Sequence, residues 1–587
     1  GGFGYYFPLL ANSDITTPEI FDNKQTQLFG ADQKEQTDRR RLQATGSLTY
    51  FKDGWGGTHN FKVGGEMLFE YGWYGYTQVA SGNQRTTIAT SGAPSSFAFY
   101  APTALKVGSL GDGPSGNLLS IDRVNTKDLF FTDQFSLGRA TLNLGVRYDG
   151  YDVFTPDQTQ LAYNFPTGVS IAAASCATSP AFCKTDYVKW NSIVPRLGLS
   201  YDLLGTGKTV LKANYGMYRF NPGVGVASSA NPNQQVKSIT YSSKVAGAAD
   251  TVYYTDPTTG TKYTVNSITS SALAGAISVD PNIKQPLSHQ ATVYVEQQLT
   301  EGVGLRTGFV YYSVKNQVGT VGFQPNRPAS AYTVPFSVID PGPDGITGNG
   351  DDQSLTAHGI PSSLLSGCTA TQTTPTATCA YPANQVIMNQ ADNGSYKTFE
   401  VSLNKRQSHN YSLGAGFGYT WQHDFPYGYP NTPNGPADFD FSTYSGKVNG
   451  TYTTPKWGIL LSAVYRYQAG QNYARRVSVS APASCACTFS AAAGATGSFA
   501  TPSLSATAIF ATPYNAYRQD NISVVDLRVE KTVPLGSQVK VRLFFDAFNL
   551  TNQYAAETIA NLAGPNFQQP TAILGPRTGR IGFRLIW

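Results

Sequence analysis

Thr141-Leu142-Asn143-Leu144-Gly145-Val146-Arg147-Tyr148-Asp149-Gly150-Tyr151 alternates residue by residue. Leu142, Leu144, Val146 and Tyr148 form one face; Thr141, Asn143, Arg147 and Asp149 form the other. A repeat of two is the period of a β-strand, whose side chains point to opposite faces in turn. The same alternation returns in Val539, Val541, Leu543 and Phe545 against Lys540, Arg542, Phe544 and Asp546. It returns again in Val525, Leu527 and Val529 against Asp526, Arg528 and Glu530. A soluble sandwich turns such charged faces to water and packs the apolar ones together. A large membrane barrel reverses this: the apolar face meets lipid and the charged face lines a wet lumen.

Composition supports the second arrangement. Charged residues make up only 13% of the 587, about half the usual share, while aromatics reach 13% with 36 Tyr and 32 Phe. No run of about 18 apolar residues occurs, so no transmembrane helix is expected. A chain that crosses a bilayer without helices must do so as a closed barrel, because lipid offers backbone groups no partners. The expected fold is all-β: a transmembrane antiparallel up-and-down β-barrel. The 42 basic residues are dispersed for a net charge of +5, and Arg39-Arg40-Arg41 is the one basic triplet. It reads as a solvated or headgroup-level cluster, and nucleic acid is not an expected partner.

Seven hairpins can be traced, with tight turns near 53–57, 135–138, 204–207, 300–302, 407–410, 454–456 and 534–536. Gly205-Thr206-Gly207 and Pro534-Leu535-Gly536 carry ordinary turn chemistry. Between hairpins run long segments rich in Ser, Thr, Gly, Pro and Asn, near 73–117, 155–190, 221–286, 318–395, 424–442, 470–520 and 552–578. Short turns on one side and long loops on the other are the asymmetry of outer-membrane barrels, with the long loops outside the cell. Seven hairpins and a last strand, Arg580 to Trp587, give about fifteen strands. Residues 1–40 are then expected as part of an extracellular loop and 41–587 as barrel wall. Single-chain bacterial barrels have an even strand number. The odd count therefore predicts a fragment of a barrel of about 22 strands, with its first strands and a plug upstream.

These strands and turns resemble the barrel of TonB-dependent outer-membrane receptors of the Oar-like type. The resemblance rests on 42–52 (LQATGSLTYFK), 58–66 (THNFKVGGE), 143–149 (NLGVRYD), 195–202 (PRLGLSYD), 207–212 (GKTVLK) with Tyr215-Gly216, 545–552 (FDAFNLTN), and Pro576-Arg577. It implies energised uptake of a scarce solute, with outer-membrane lipid and, through an N-terminal region, the TonB complex as partners. Neither a plug domain nor a TonB box is found within the 587 residues. In the last strand Ile581, Phe583, Leu585 and Trp587 share one face and Arg580, Gly582 and Arg584 the other. This pattern resembles the signal read by the barrel assembly machinery.

Local candidates are few. Asp340, Asp344, Asp351 and Asp352, spaced by glycines, could wrap a Ca²⁺ with oxygen ligands; a solvated acidic turn accounts for them equally well. Cys176 with Cys183 and Cys368 with Cys379 are expected as local disulfides of an oxidising compartment. Cys485 and Cys487 stay open between a strained bond and a metal site. His59, His289, His358, His409 and His423 show no ligand spacing and are expected on the surface or in loops. Trp73, Trp421 and Trp457 are expected at the membrane interfaces, with Tyr74 and Tyr76 as ligand-stacking alternatives. Lys62, Glu66, Arg147, Asp149, Glu296, Asp526, Arg528, Arg542 and Asp546 are expected to pair across strands inside the wall. No catalytic constellation appears. A passive porin-like channel or an adhesion barrel is the rival function. A soluble array of β-sandwiches is the third reading.

Overall fold

The computed structural model describes residues 19–23, 27–29, 34–77, 83–101, 120–233, 237–272, 277–318, 329–368, 375–382, 385–389, 394–424, 439–489, 508–536 and 538–587. Fifteen strands form one sheet in strict chain order. They are β1 (Lys34–Asp53), β2 (Thr58–Thr77), β3 (Ser120–Leu137), β4 (Ala140–Thr155) and β5 (Thr185–Asp202). Next come β6 (Thr209–Arg219), β7 (Leu287–Thr300), β8 (Val303–Lys315), β9 (Gly394–Ser408) and β10 (Tyr411–Asp424). The last are β11 (Phe439–Thr453), β12 (Ile459–Gln468), β13 (Ile522–Pro534), β14 (Lys540–Phe548) and β15 (Thr578–Ile586). Neighbours are antiparallel throughout. Among the described strands β1 pairs only with β2, and β15 only with β14. The first strand begins at Lys34, seven residues ahead of the expected boundary at 41.

All seven short turns fall where the turn residues put them. His409 and Asn410 both have positive φ, 52° and 66°, and join β9 to β10. Two consecutive left-handed residues match the twist of the strands they connect. Between β5 and β6 the Asp202 carboxylate accepts the amides of Gly205 (3.0 Å) and Gly207 (2.7 Å), closing that turn on its own side chain.

The two faces of the sheet are inverted relative to a soluble protein. On the outer face Leu48, Phe131, Ile193, Val293, Phe417 and Leu543 are exposed, Ile193 by 69%. On the inner face Asp128, Asp149, Glu530 and Asp546 are buried. Leaving one large apolar side chain in water forfeits about 1.5–3 kcal/mol. Repeated on every strand, that loss would unfold a soluble chain; in a bilayer the same side chains are solvated by acyl tails.

The long segments are not the structureless loops their composition implied. Strand Glu19–Asp22 pairs in parallel with Gln84–Ile88, and with five further short strands they make a seven-stranded sheet. Phe97, Phe99, Phe165, Ile171, Ile239 and Tyr241 form its core. So part of the chain before β1 is woven into the loop layer; residues 1–18 lie outside the described residues. A second core sits inside the mouth of the sheet. Inward-facing Val124, Tyr151, Val153, Val188 and Trp190 pack on helix α1 (Gly225–Ala230) and on Ile283 and Ile387. Tyr151 stacks on Trp190 at 5.6 Å. Both polar handles are satisfied, Tyr151 Oη by the Gly223 carbonyl (2.6 Å) and Trp190 Nε1 by Ile283 (2.9 Å). Over β3 to β5 the lumen face is thus apolar at its outer end, where a charged face was expected.

Candidate functional site

The inner wall is held by ion pairs between neighbouring strands. Arg528, Asp546 and Arg580 stand directly opposite one another on β13, β14 and β15. Asp546 accepts Arg528 Nε and Nη2 (2.6 and 3.0 Å) and Arg580 Nε and Nη2 (2.9 and 2.6 Å). Arg542 meets Glu530 at 3.2 Å and Lys212 meets Glu296 at 2.7 Å. Arg147 bridges Asp128 (2.6 Å) and Asp149. Arg466 reaches Asp526 at 2.8 Å, and Gln43 donates to Glu66. Lys62 differs, lying over the Phe130 ring at 5.9 Å. Most of the expected luminal charges are therefore consumed in the wall and leave few free to grip a solute.

Above this wall, under the loops, lies a chamber of about 780 Å³. Its aromatic faces are Tyr218, Phe220, Tyr312, Tyr396, Phe441 and Tyr514, and its amides include Gln422, Gln468, Gln471 and Asn472. Tyr312 and Tyr396 stack at 4.7 Å with an interplanar angle of 19°. Arg219 is the chamber's arginine; its Nη1 donates to the Gln285 carbonyl at 3.2 Å. Such a lining offers flat apolar faces and neutral hydrogen-bonding groups, the mix that holds bulky ligands by stacking and orientation. None of these residues was singled out from the sequence. The available signal was period two: carried to the loop ends of β8 and β9, it turns Tyr312 and Tyr396 inward.

The acidic loop does not assemble a cation cage. Asp340 is fully buried and bound to Arg475 at 2.5 Å, and its other oxygen accepts the Gly342 amide (3.1 Å). Asp344 accepts Ile346 N (2.8 Å) and Asn349 Nδ2 (2.8 Å), and Asp352 accepts Gly348 N. Among the described residues no group of three or more His, Cys, Asp or Glu is placed to hold a metal. Of the two readings, the geometry is that of a self-capped acidic turn anchored by an arginine.

Cys176 is bonded to Cys183, Cys368 to Cys379 and Cys485 to Cys487. The last pair spans one residue, and Ala486 between them takes a left-handed φ of 48°. Ile581, Phe583, Leu585 and Trp587 all face outward and are exposed, Trp587 by 87%. Trp421 and Trp457 are exposed as expected, whereas Trp73 is buried with Ile121 and Tyr71. The side chains of Tyr74 and Tyr76 lie outside the described residues. Three histidines sit in wall strands rather than loops. His59 meets Asp133 at 2.8 Å, His289 meets the Tyr215 hydroxyl at 2.9 Å, and His423 meets Asp440 at 2.6 Å.

An outward apolar face, an ion-paired inner face and a loop-covered mouth define an integral barrel wall of the bacterial outer membrane. The chain belongs to the outer membrane beta barrel domain family, whose model matches residues 8–581. Solved structures similar to it include the outer membrane transporter YddB from Escherichia coli, 12% identical at a TM-score of 0.49. That alignment covers 94% of this chain and 54% of YddB. The ferripyoverdine receptor of the outer membrane of Pseudomonas aeruginosa is 10% identical at a TM-score of 0.45, covering 95% and 49%. The ferric citrate transporter FecA is 12% identical at 0.45, covering 95% and 57%. The chain spans about half the length of these structures. No curated protein matches it by sequence.

Proposed function

We propose that this barrel wall serves a TonB-dependent receptor that takes up a bulky, scarce solute across the outer membrane. The observation that carries the reading is the chamber at the extracellular end of the lumen, lined by Tyr218, Tyr312, Tyr396 and neighbouring amides. A passive pore needs no such stacking chamber at its entrance. The TonB coupling rests on the strand and turn motifs from Leu42 to Arg577, which resemble that receptor class. In this reading further strands complete the barrel between β15 and β1, and a plug fills the bore. An oligosaccharide, a peptide or a metal chelate would each be large enough to use the chamber, whose aromatic faces and amides suit stacking and hydrogen bonding and whose Arg219 adds one cation.

The test is uptake by cells carrying the full-length gene product. Solute accumulation should stop when TonB is depleted or the proton gradient collapsed. Accumulation that persists after both treatments would assign the protein to passive channels.

A further inference from the structure

One register row crosses the strands that line the luminal chamber. It runs Gly216, Gln290, Tyr312, Tyr396, Gln422 and Phe441, one residue from each of β6 to β11. We propose that this row binds a neutral linear oligosaccharide, whose rings stack on the aromatic faces while its hydroxyls pair with the amides. The proposal rests on the uptake reading above, taking the chamber as the solute site, and names the solute's chemical class.

Alternation places the row on the inner face. Tyr312 has the parity of Arg306, which reaches luminal Glu296 at 4.0 Å, whereas Phe309 is exposed on the outer face. Gln422 alternates with exposed Trp421 in the same way. Adjacent strands lie about 4.8 Å apart, so the row extends roughly 24 Å around the wall. Its glycine has a physical reason. A Cβ on Gly216 would lie 2.7 Å from Cε2 and Oη of Tyr218. The Tyr218 ring therefore leans over Gly216 and fills the empty place, with the Arg196 guanidinium 4.8 Å from the ring centroid. At the other end Tyr514, from the segment between β12 and β13, packs on Phe441 at 5.7 Å. Between these ends, amides alternate with the stacked pair Tyr312 and Tyr396.

A sugar ring is amphipathic. Its C–H groups form a flat apolar face and its hydroxyls radiate from the edge. A tyrosine or phenylalanine face meets the first. A primary amide, donor and acceptor at once, meets the second. Among the described residues neither the Gln290 nor the Gln422 amide has a side-chain partner, so both are free for a ligand. No side chain of the row is charged at neutral pH. A chelate with several negative charges would find only Arg196, covered by Tyr218, and Arg219, whose Nη1 is engaged by the Gln285 carbonyl. A peptide pairs best with a free strand edge. The row instead crosses six strands whose backbone groups are already paired in the sheet.

The experiment is calorimetric titration of the full-length gene product, in a detergent without a sugar headgroup. The probes are cellohexaose, maltohexaose, hexagalacturonate and hexaalanine. At least one neutral hexasaccharide should bind about tenfold tighter than the uronate and the peptide. Tyr312→Ala and Tyr396→Ala should each weaken that binding about tenfold, while Tyr312→Phe, which keeps the face, should stay within about twofold. Gly216→Ala displaces only the end of a flexible side chain. It should weaken binding severalfold and leave the folded band in semi-native electrophoresis unchanged. If an alanine variant fails to fold, Gln422→Leu, of similar size, should still cost severalfold. No binding of either neutral hexasaccharide, tighter binding of the uronate or the peptide, or unchanged affinity in the variants overturns the proposal. Cellular uptake is scored apart. A bound hexasaccharide whose accumulation ignores TonB overturns the receptor reading alone. TonB-driven accumulation of another solute, without hexasaccharide binding, overturns the oligosaccharide assignment alone.

Discussion

Asp340 and Arg475, 135 residues apart, form an ion pair of 2.5 Å in which both side chains are buried. Asp340 ends strand Val334–Asp340, between β8 and β9; Arg475 lies in the segment between β12 and β13. The two extracellular segments are also joined by backbone, because Gln353–Pro361 pairs with Cys487–Phe489. Removing one member of a buried pair strands the other charge, at a cost of about 3–5 kcal/mol. Arg475→Met should therefore open this loop pair. Limited proteolysis of the membrane-embedded protein should cut between β8 and β9 faster in the variant. The double variant Asp340→Asn, Arg475→Met should recover part of the protection.

Asp546 joins three strands through two arginines. Asp546→Asn leaves Arg528 and Arg580 facing each other without the shared carboxylate. Solvent in the bore screens part of the loss, so a cost on the order of 1–2 kcal/mol is expected. It should appear as a lower urea midpoint for the folded band in semi-native electrophoresis. Arg580→Gln, which removes one of the two cations, should cost less.

The orientation of the wall sets opposite outcomes for adjacent residues. Leu144 is exposed on the outer face and Asn143 points inward from the same strand. Leu144→Arg should destabilise by about 2–4 kcal/mol at mid-bilayer depth, while Asn143→Arg should be tolerated. Equilibrium unfolding in lipid vesicles measures both. Equal effects would reverse the assignment of the faces.

Lys237 gives the loop layer a pH dependence. Burial pushes its pKa down to about 8, even with the Phe182 ring 5.9 Å from its ammonium. The unfolded chain, with an ordinary lysine pKa near ~10.4, binds the proton more tightly. Below pH 8 the folded layer therefore carries the whole penalty. Stability should rise between pH 8 and about 10.4, where the unfolded state holds more protons. Lys237→Met should raise protease resistance at pH 7 and flatten its rise between pH 7.5 and 9.5.

The wall was legible in the sequence because its rules are local. Alternation fixes each strand's two faces, and residues such as Gly207 or Asn410 mark the turns, so the strand count of fifteen emerges from short windows. The boundary at Lys34 was missed because Arg39-Arg40-Arg41 interrupts the apolar alternation, although β1 runs through it. What the sequence hid depends on distant partners. Strand Glu19–Asp22 has meaning only beside Gln84–Ile88, and Asp340 looks like a cation ligand until Arg475 arrives. The chamber was invisible for a similar reason. Tyr312 and Tyr396 are ordinary strand tyrosines until β8 and β9 stack them beneath a cover.

The core at the mouth makes the entrance lopsided. Val124, Tyr151, Val153, Val188 and Trp190 obstruct the sector of β3 to β5 with α1, while the chamber occupies the sector of β6 to β12. In the proposed uptake, a solute entering from outside meets the chamber along one flank only. The neighbouring flank offers it closely packed apolar side chains instead of stacking faces and amides.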